Sequence, residues 1–290
     1  MSQMRQRSKL TLRGCLGYGI WLFAAGLVFY VAVCIYFAVW QRSYIYFPTV
    51  STSKQVDDLA RSAKLERWKD ASGRSIGMKR LCTRQPAEGR VLVVYGNGSS
   101  ATGCAHYADV IQDVAAFDVF ILEYPGYADR PGTPGQNSLF RAADEAFGQL
   151  PTNGPTCLVG ESLGSGVAAF LAGKHADQVA GVALLGAYNC LTDVGQYQMP
   201  WLPVHLLLLD RFRSEDYLRH YHGPVAVLVA AEDEVVPEKL GRRLYDQYAG
   251  PKQLWKFEPG THATVMDRPA KVWAQVIAFW QAEHIAATPK

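Results

Sequence analysis

Nowhere in its 290 residues does the chain carry a Cys-x-x-Cys pair or a set of Cys and His at metal-ligand spacing, although six cysteines are present. A zinc site is therefore not expected. Internal repeats and low-complexity tracts are also missing, which excludes a solenoid. Charge is modest, with a formal net of +3 and 19% charged residues. No basic stripe interleaves with aromatics, so nucleic acid is not an expected partner. The cysteines themselves fix no redox compartment. Cys15 and Cys34 fall in a long apolar run, whereas Cys82, Cys104, Cys157 and Cys190 lie beyond it, where a non-cytoplasmic location would permit disulfides. Cys157, within Thr156-Cys157-Leu158-Val159, reads as a small buried hydrophobe.

One absence is local. No charged side chain occurs from Gly14 to Gln41. About 20 apolar residues span a bilayer, so this run suffices with some tilt. Trp40, Tyr44, Tyr46 and Phe47 follow it as an interfacial aromatic belt would. A cleaved signal peptide would have a shorter apolar region ending in an A-x-A-like site, whereas this run ends Phe37-Ala38-Val39-Trp40. An uncleaved anchor is the better reading. Arg5, Arg7, Lys9 and Arg13 precede the run and only Arg42 and Lys54 closely follow it, which places the N-terminus in the cytoplasm and the rest on the far side. The organisation expected is a basic tail over 1–13, a transmembrane anchor over 14–41, a polar linker over 42–64 and one catalytic-size domain over 65–290.

What the domain does contain is alternation. Short apolar runs at Arg90–Tyr95, Val119–Glu123, Thr156–Val159, Val179–Leu185 and Pro224–Val229 predict strands buried on both faces. Two strands, Glu66–Asp70 and Ser75–Leu81, precede them, and Lys252–Phe257 closes the series. Helices are expected at Ala101–Val114, at Ser138–Leu150 with Ser138 as N-cap, after Ser162, at Glu238–Tyr248 and at Pro269–Ile285. Such alternation implies a mostly parallel sheet covered by helices, with ligands bound beyond the carboxyl ends of its strands. The stretch between Asn189 and His222 breaks the pattern. Rich in bulky apolar residues, it is read either as a small cap over the site or as a core-packing excursion.

Gly160-Glu161-Ser162-Leu163-Gly164 sits where an apolar strand gives way to a small-residue helix. A G-x-S-x-G pentapeptide in strand–turn–helix context describes a nucleophile elbow. A serine hydroxyl needs a base, itself oriented by an acid, and both follow in the required order. Asp233 comes just after the Pro224–Val229 strand, and His262 lies in a flexible loop just after the last strand. Asp193 competes for the acid's role, while Glu232 and Glu234 are read as pointing elsewhere. His106 starts a helix near the site; His175, His205, His220, His222 and His284 have surface or cap-like contexts. For the oxyanion, the candidate donors are the backbone N–H groups of Leu163 and Asn97. The same loop, Gly96-x-Gly98-x-x-Ala101, also fits a dinucleotide fingerprint, with Glu123 as the ribose-binding acid. Against this, two strands precede the loop, and an NAD reading leaves Ser162, Asp233 and His262 unused.

These residues resemble the α/β-hydrolase superfamily, in particular its single-span, membrane-anchored serine-hydrolase branch, which includes depalmitoylase-like members. Further markers are Gln41–Pro48, Tyr95-Gly96-Asn97-Gly98, Glu123-Tyr124-Pro125-Gly126-Tyr127, Trp201-Leu202-Pro203-Val204, Asp210-Arg211-Phe212 and Gly260-Thr261-His262. The chain departs from the branch where Tyr95-Gly96-Asn97 stands in place of the usual His-Gly-Asn and Ala230-Ala231 in place of His-Gly. The resemblance implies an α/β-hydrolase fold with a short cap and an N-terminal transmembrane helix. It also implies Ser162, Asp233 and His262 as a catalytic triad, with no metal or organic cofactor. Esters or thioesters are the expected substrates, and an apolar cap beside a membrane anchor suggests lipid-like or acylated-protein ones, handled at a bilayer. The alternative from a different class is a non-catalytic membrane scaffold that retains the fold.

Overall fold

The uncharged run becomes part of one long helix. The computed structural model describes the backbone of residues 2–287 and the side chains of residues 17–283. Arg5, Arg7, Lys9, Arg13, Cys15 and His284 therefore lie outside the described side chains. Helix α1 (Ser2–Ile45) contains a 29-residue segment, Gly17–Ile45, apolar down to Trp40 and long enough to cross a membrane.

The polar linker is not structureless. It contains α2 (Ser53–Ser62), started by a capping box in which the Thr52 hydroxyl accepts from Gln55 N–H and the Gln55 side chain accepts from Thr52 N–H. Its Val56 and Ala60 are buried against the core. Next come β1 (Glu66–Lys69), β2 (Ser75–Arg80), β3 (Gly89–Val94), α3 (His106–Val114), β4 (Phe117–Leu122), α4 (Gln136–Phe147), β5 (Thr156–Glu161) and α5 (Leu163–Lys174). They are followed by β6 (Val179–Leu185), α6 (Leu191–Gln198), α7 (Val204–Leu207), α8 (Ser214–Leu218) and β7 (Val225–Ala230). The chain closes through α9 (Glu238–Gln247), β8 (Lys252–Phe257), α10 (His262–Met266) and α11 (Ala270–Ala287).

The eight strands form one sheet in the order β1-β2-β4-β3-β5-β6-β7-β8. β1 and β2 are antiparallel, and every pair from β4–β3 to β7–β8 is parallel. The central strands are covered on both faces, so β3 and β7 are buried along their whole length and carry unbroken apolar runs. At the edge, β8 alternates half-buried and exposed positions instead.

Three local expectations change. Helix α3 starts at His106 rather than Ala101, because residues 101–105 form turns and Ala101 N–H is held by the Glu123 carboxylate. Ser138 is not an N-cap: it lies inside α4, and its hydroxyl donates to the carbonyls of Thr133 and Gly135. His262 is not in a flexible loop but opens α10, whose first turn Thr261 and Thr264 close with a second capping box. The segment between Asn189 and His222 combines its two readings. Phe212 and Leu218 enter the main core, whereas Leu202, Val204 and Leu208 form a separate apolar cluster against Cys34, Phe37 and Ile45. Cys34, Cys82, Cys104, Cys157 and Cys190 carry free thiols.

Candidate active site

Ser162 occupies the tight turn between β5 and α5 with φ 49° and ψ −116°, a region costly for a residue with a Cβ. The glycines on either side make that turn feasible. A Cβ on Gly160 would lie 2.7 Å from the Gly164 carbonyl, and one on Gly164 would collide with the Val94 carbonyl. Ser162 N–H donates to Leu185 O at 2.8 Å, which pins the elbow to β6. The hydroxyl stands at the N-terminus of α5, where free N–H groups and the helix dipole favour negative charge.

His262 Nε2 lies 3.0 Å from Ser162 Oγ, and its Nδ1 lies 2.8 Å from Asp233 Oδ2. A buried carboxylate can only accept, so Nδ1 carries the proton and Nε2 is left to accept from the serine. Asp233 follows β7, and its Oδ1 accepts from Val235 N–H at 2.9 Å and Val236 N–H at 2.7 Å. Both carboxylate oxygens are thus engaged, and the aspartate side chain has no exposure. Residues 71 and 29 positions from one another in sequence meet at the carboxyl ends of β5, β7 and β8.

The N–H groups of Leu163 and Asn97 have no protein acceptor among the described residues. The Asn97 side chain is engaged at both ends. Its Oδ1 accepts from Phe47 N–H, Gly98 N–H and Tyr127 OH, and its Nδ2 donates to Ile45 O. The end of α1 is therefore stitched to the loop after β3. Beside Ser162 opens a cavity of about 260 Å³. Asn97, Ser162 and Leu163 line it together with Leu191, Val194 and Leu202 of the 189–222 segment and Phe37 and Ile45 of α1.

A family model for the α/β-hydrolase fold matches residues 89–220. An uncharacterized protein of Mycobacterium tuberculosis is 30% identical over 219 residues, covering 73% of this chain and 77% of that protein. The chain belongs to the α/β-hydrolase family. Lysophosphatidylserine lipase ABHD12 of Mus musculus is 23% identical over 213 residues, 66% of this chain and 53% of the lipase, so the chain spans about half that relative's length. The solved structure of Est1E from Butyrivibrio proteoclasticus superposes with a TM-score of 0.58 at 14% identity, covering 77% of this chain and 99% of that one, a likeness of fold alone.

In this hydrolase the competing assignments fall elsewhere. Asp193 Oδ2 accepts from Asn189 Nδ2 at 2.6 Å and Arg243 at 3.1 Å, and Asp233 takes the His262 Nδ1 position. Glu232 and Glu234 are exposed. His106 borders a different cavity with Ser99, Cys104 and Asp267, and its Nε2 is buried without a partner. Glu123, the would-be ribose acid, is 4% exposed, receives the Tyr95 hydroxyl and Ala101 N–H, and cannot face a ligand. Burial raises its pKa from 4.5 to about 7. Gly96, moreover, abuts the elbow: a Cβ there would lie 2.9 Å from Glu161 Oε1. These two observations remove the dinucleotide reading.

Two supports of the site leave no local sequence pattern. Glu161, next to Ser162, accepts from Tyr107 OH at 2.9 Å, and burial raises its carboxyl above the usual range. Tyr124 OH donates to Tyr95 O at 2.7 Å, bracing the loop that carries Asn97.

Proposed function

We propose that the protein is a membrane-anchored serine hydrolase that cleaves carboxylic esters or thioesters through Ser162, His262 and Asp233. The observation that carries the reading is the continuous hydrogen-bonded relay, 3.0 Å from serine to imidazole and 2.8 Å from imidazole to carboxylate. His262 takes the Ser162 proton as the hydroxyl attacks the acyl carbon, and Asp233 holds the ring and stabilises the imidazolium. The N–H groups of Leu163 and Asn97 receive the oxyanion; losing one such donor typically costs ~3 kcal/mol of transition-state stabilisation. The imidazolium then protonates the leaving group, and water hydrolyses the acyl-enzyme by the reverse sequence of proton transfers.

The apolar cavity beside Ser162 and the lipase activity named for the mouse relative both support a lipid-like ester, or an acylated protein, as substrate. The apolar stretch of α1 supports a single bilayer span. Basic residues concentrated before it support a cytoplasmic N-terminus with the hydrolase domain on the other side.

The test is labelling of the full-length protein by a fluorophosphonate probe. Wild type is expected to label and Ser162→Ala to lose the signal. Labelling that persists in Ser162→Ala refutes the assignment.

A further inference from the structure

The apolar helix is longer than a bilayer requires. Its 29 residues extend about 43 Å at ~1.5 Å per residue, against a hydrocarbon core of ~30 Å. The domain covers this surplus of about 13 Å and roughly 9 Å more of the helix. The Tyr30 hydroxyl donates to Trp201 O at 3.0 Å, and the Phe37 ring meets the Trp201 ring edge-on at 5.6 Å. Cys34, Phe37 and Ile45 pack on the apolar cluster of Leu202, Val204 and Leu208. From Tyr30 to Ile45 the cap and the loop after β3 therefore accompany α1 for about 22 Å. Gln41 fastens the two together: its Nε2 donates to Leu207 O at 3.2 Å and its Oε1 accepts from Leu209 N–H at 2.7 Å.

This same face of α1 borders the cavity that begins at Ser162, through Phe37, Gln41, Tyr44 and Ile45. We propose that α1 is a wall of the acyl-binding site as well as a tether, and that the site takes one acyl chain lying along the helix from Ile45 to Phe37. The inference rests on the hydrolase reading above and assigns its acyl subsite. A volume of about 260 Å³ lies under the ~300–1,000 Å³ usual for ligand pockets, which suits one chain and not two. The neighbouring surface fits a lipid source. Leu206 is 80% exposed and Leu209 71%, beside a helix that is itself apolar.

The test uses the full chain in detergent micelles and p-nitrophenyl esters from C4 to C16. Each buried methylene is worth about fourfold in binding. Phe37→Ala opens the far end and is expected to raise the C12:C4 ratio of kcat/KM at least tenfold. Ile45→Trp narrows the near end and is expected to lower that ratio by a similar factor. Ratios within twofold of wild type in both variants overturn the proposal while leaving the hydrolase reading intact. A second measurement needs no variant. A dodecyl fluorophosphonate with a terminal diazirine, attached to wild type and photolysed, is expected to cross-link to residues between Tyr30 and Ile45. Cross-links confined to residues outside α1 overturn the wall assignment, and a wild type that neither labels nor turns over esters overturns both readings.

Discussion

Arg42, near the end of α1, donates two hydrogen bonds to the carboxylate of Asp210 in the cap, Nε to Oδ2 at 3.0 Å and Nη2 to Oδ1 at 3.3 Å. Tyr46 OH adds a third to Oδ2 at 2.9 Å. The arginine is 56% exposed and the aspartate only 7%, so the pair is a half-solvated cation meeting a buried anion. Burial and the nearby Asp210 carboxylate hold the Tyr46 phenol far above its usual pKa. This junction fixes the helix against the cap.

Asp210→Ala leaves the buried Tyr46 hydroxyl without an acceptor. Such a group costs about 1–3 kcal/mol, and for a chain of this size thermal midpoint falls roughly 2–4 °C per kcal/mol. Arg42→Ala is expected to cost at least as much, because it leaves the buried Asp210 carboxylate with the Tyr46 hydroxyl as its one described side-chain donor. Thermal melts of the two variants in the same detergent check the order. An Arg42→Ala loss well below that of Asp210→Ala would assign the larger part of the junction to the Tyr46 hydrogen bond rather than to the ion pair.

Replacing Asp233 by Asn is expected to lower kcat by about 10⁴, as it does when the acid of such a relay is neutralised and the imidazole tautomer changes. Asp193→Asn is expected to stay within about threefold of wild type, since its carboxylate serves Asn189 and Arg243. Steady-state kinetics on a short-chain ester decides the matter. A larger loss in Asp193→Asn would reverse the assignment of the acid.

Glu123 gives the fold a pH dependence. Its carboxyl is raised from 4.5 to about 7 by burial, so between those values the folded state holds a proton that the unfolded chain has released. Stability therefore falls as pH rises from about 4.5 through 7, by an amount on the order of 3 kcal/mol for one such group. Glu123→Gln keeps an acceptor for Ala101 N–H and removes the titration. Denaturant midpoints at pH 5 and pH 8 are expected to converge in that variant relative to wild type. An unchanged difference between the two pH values would assign the dependence to another group.

The parallel strands were the most legible part of the chain. Burial on both faces demands uninterrupted Val, Leu and Ala, and β6 begins and ends where the apolar pattern does. The order Ser162, Asp233, His262 could be read, because each side chain follows a strand; their separations could not, because they depend on how β5, β7 and β8 sit in one sheet. Helix α2 is hidden by polar composition, its signal reduced to the spacing of Thr52 and Gln55. The bracing of Asn97 by Ile45, Phe47 and Tyr127 joins positions 30 to 52 residues apart, which leaves no local trace.

Burial of the thiols carries a consequence for their reactivity. Cys82, Cys104, Cys157 and Cys190 are all buried, and exclusion of water raises the Cys157 pKa to about 12. With so little thiolate formed at Cys157, oxidants and alkylating agents find no nucleophile there while the chain is folded.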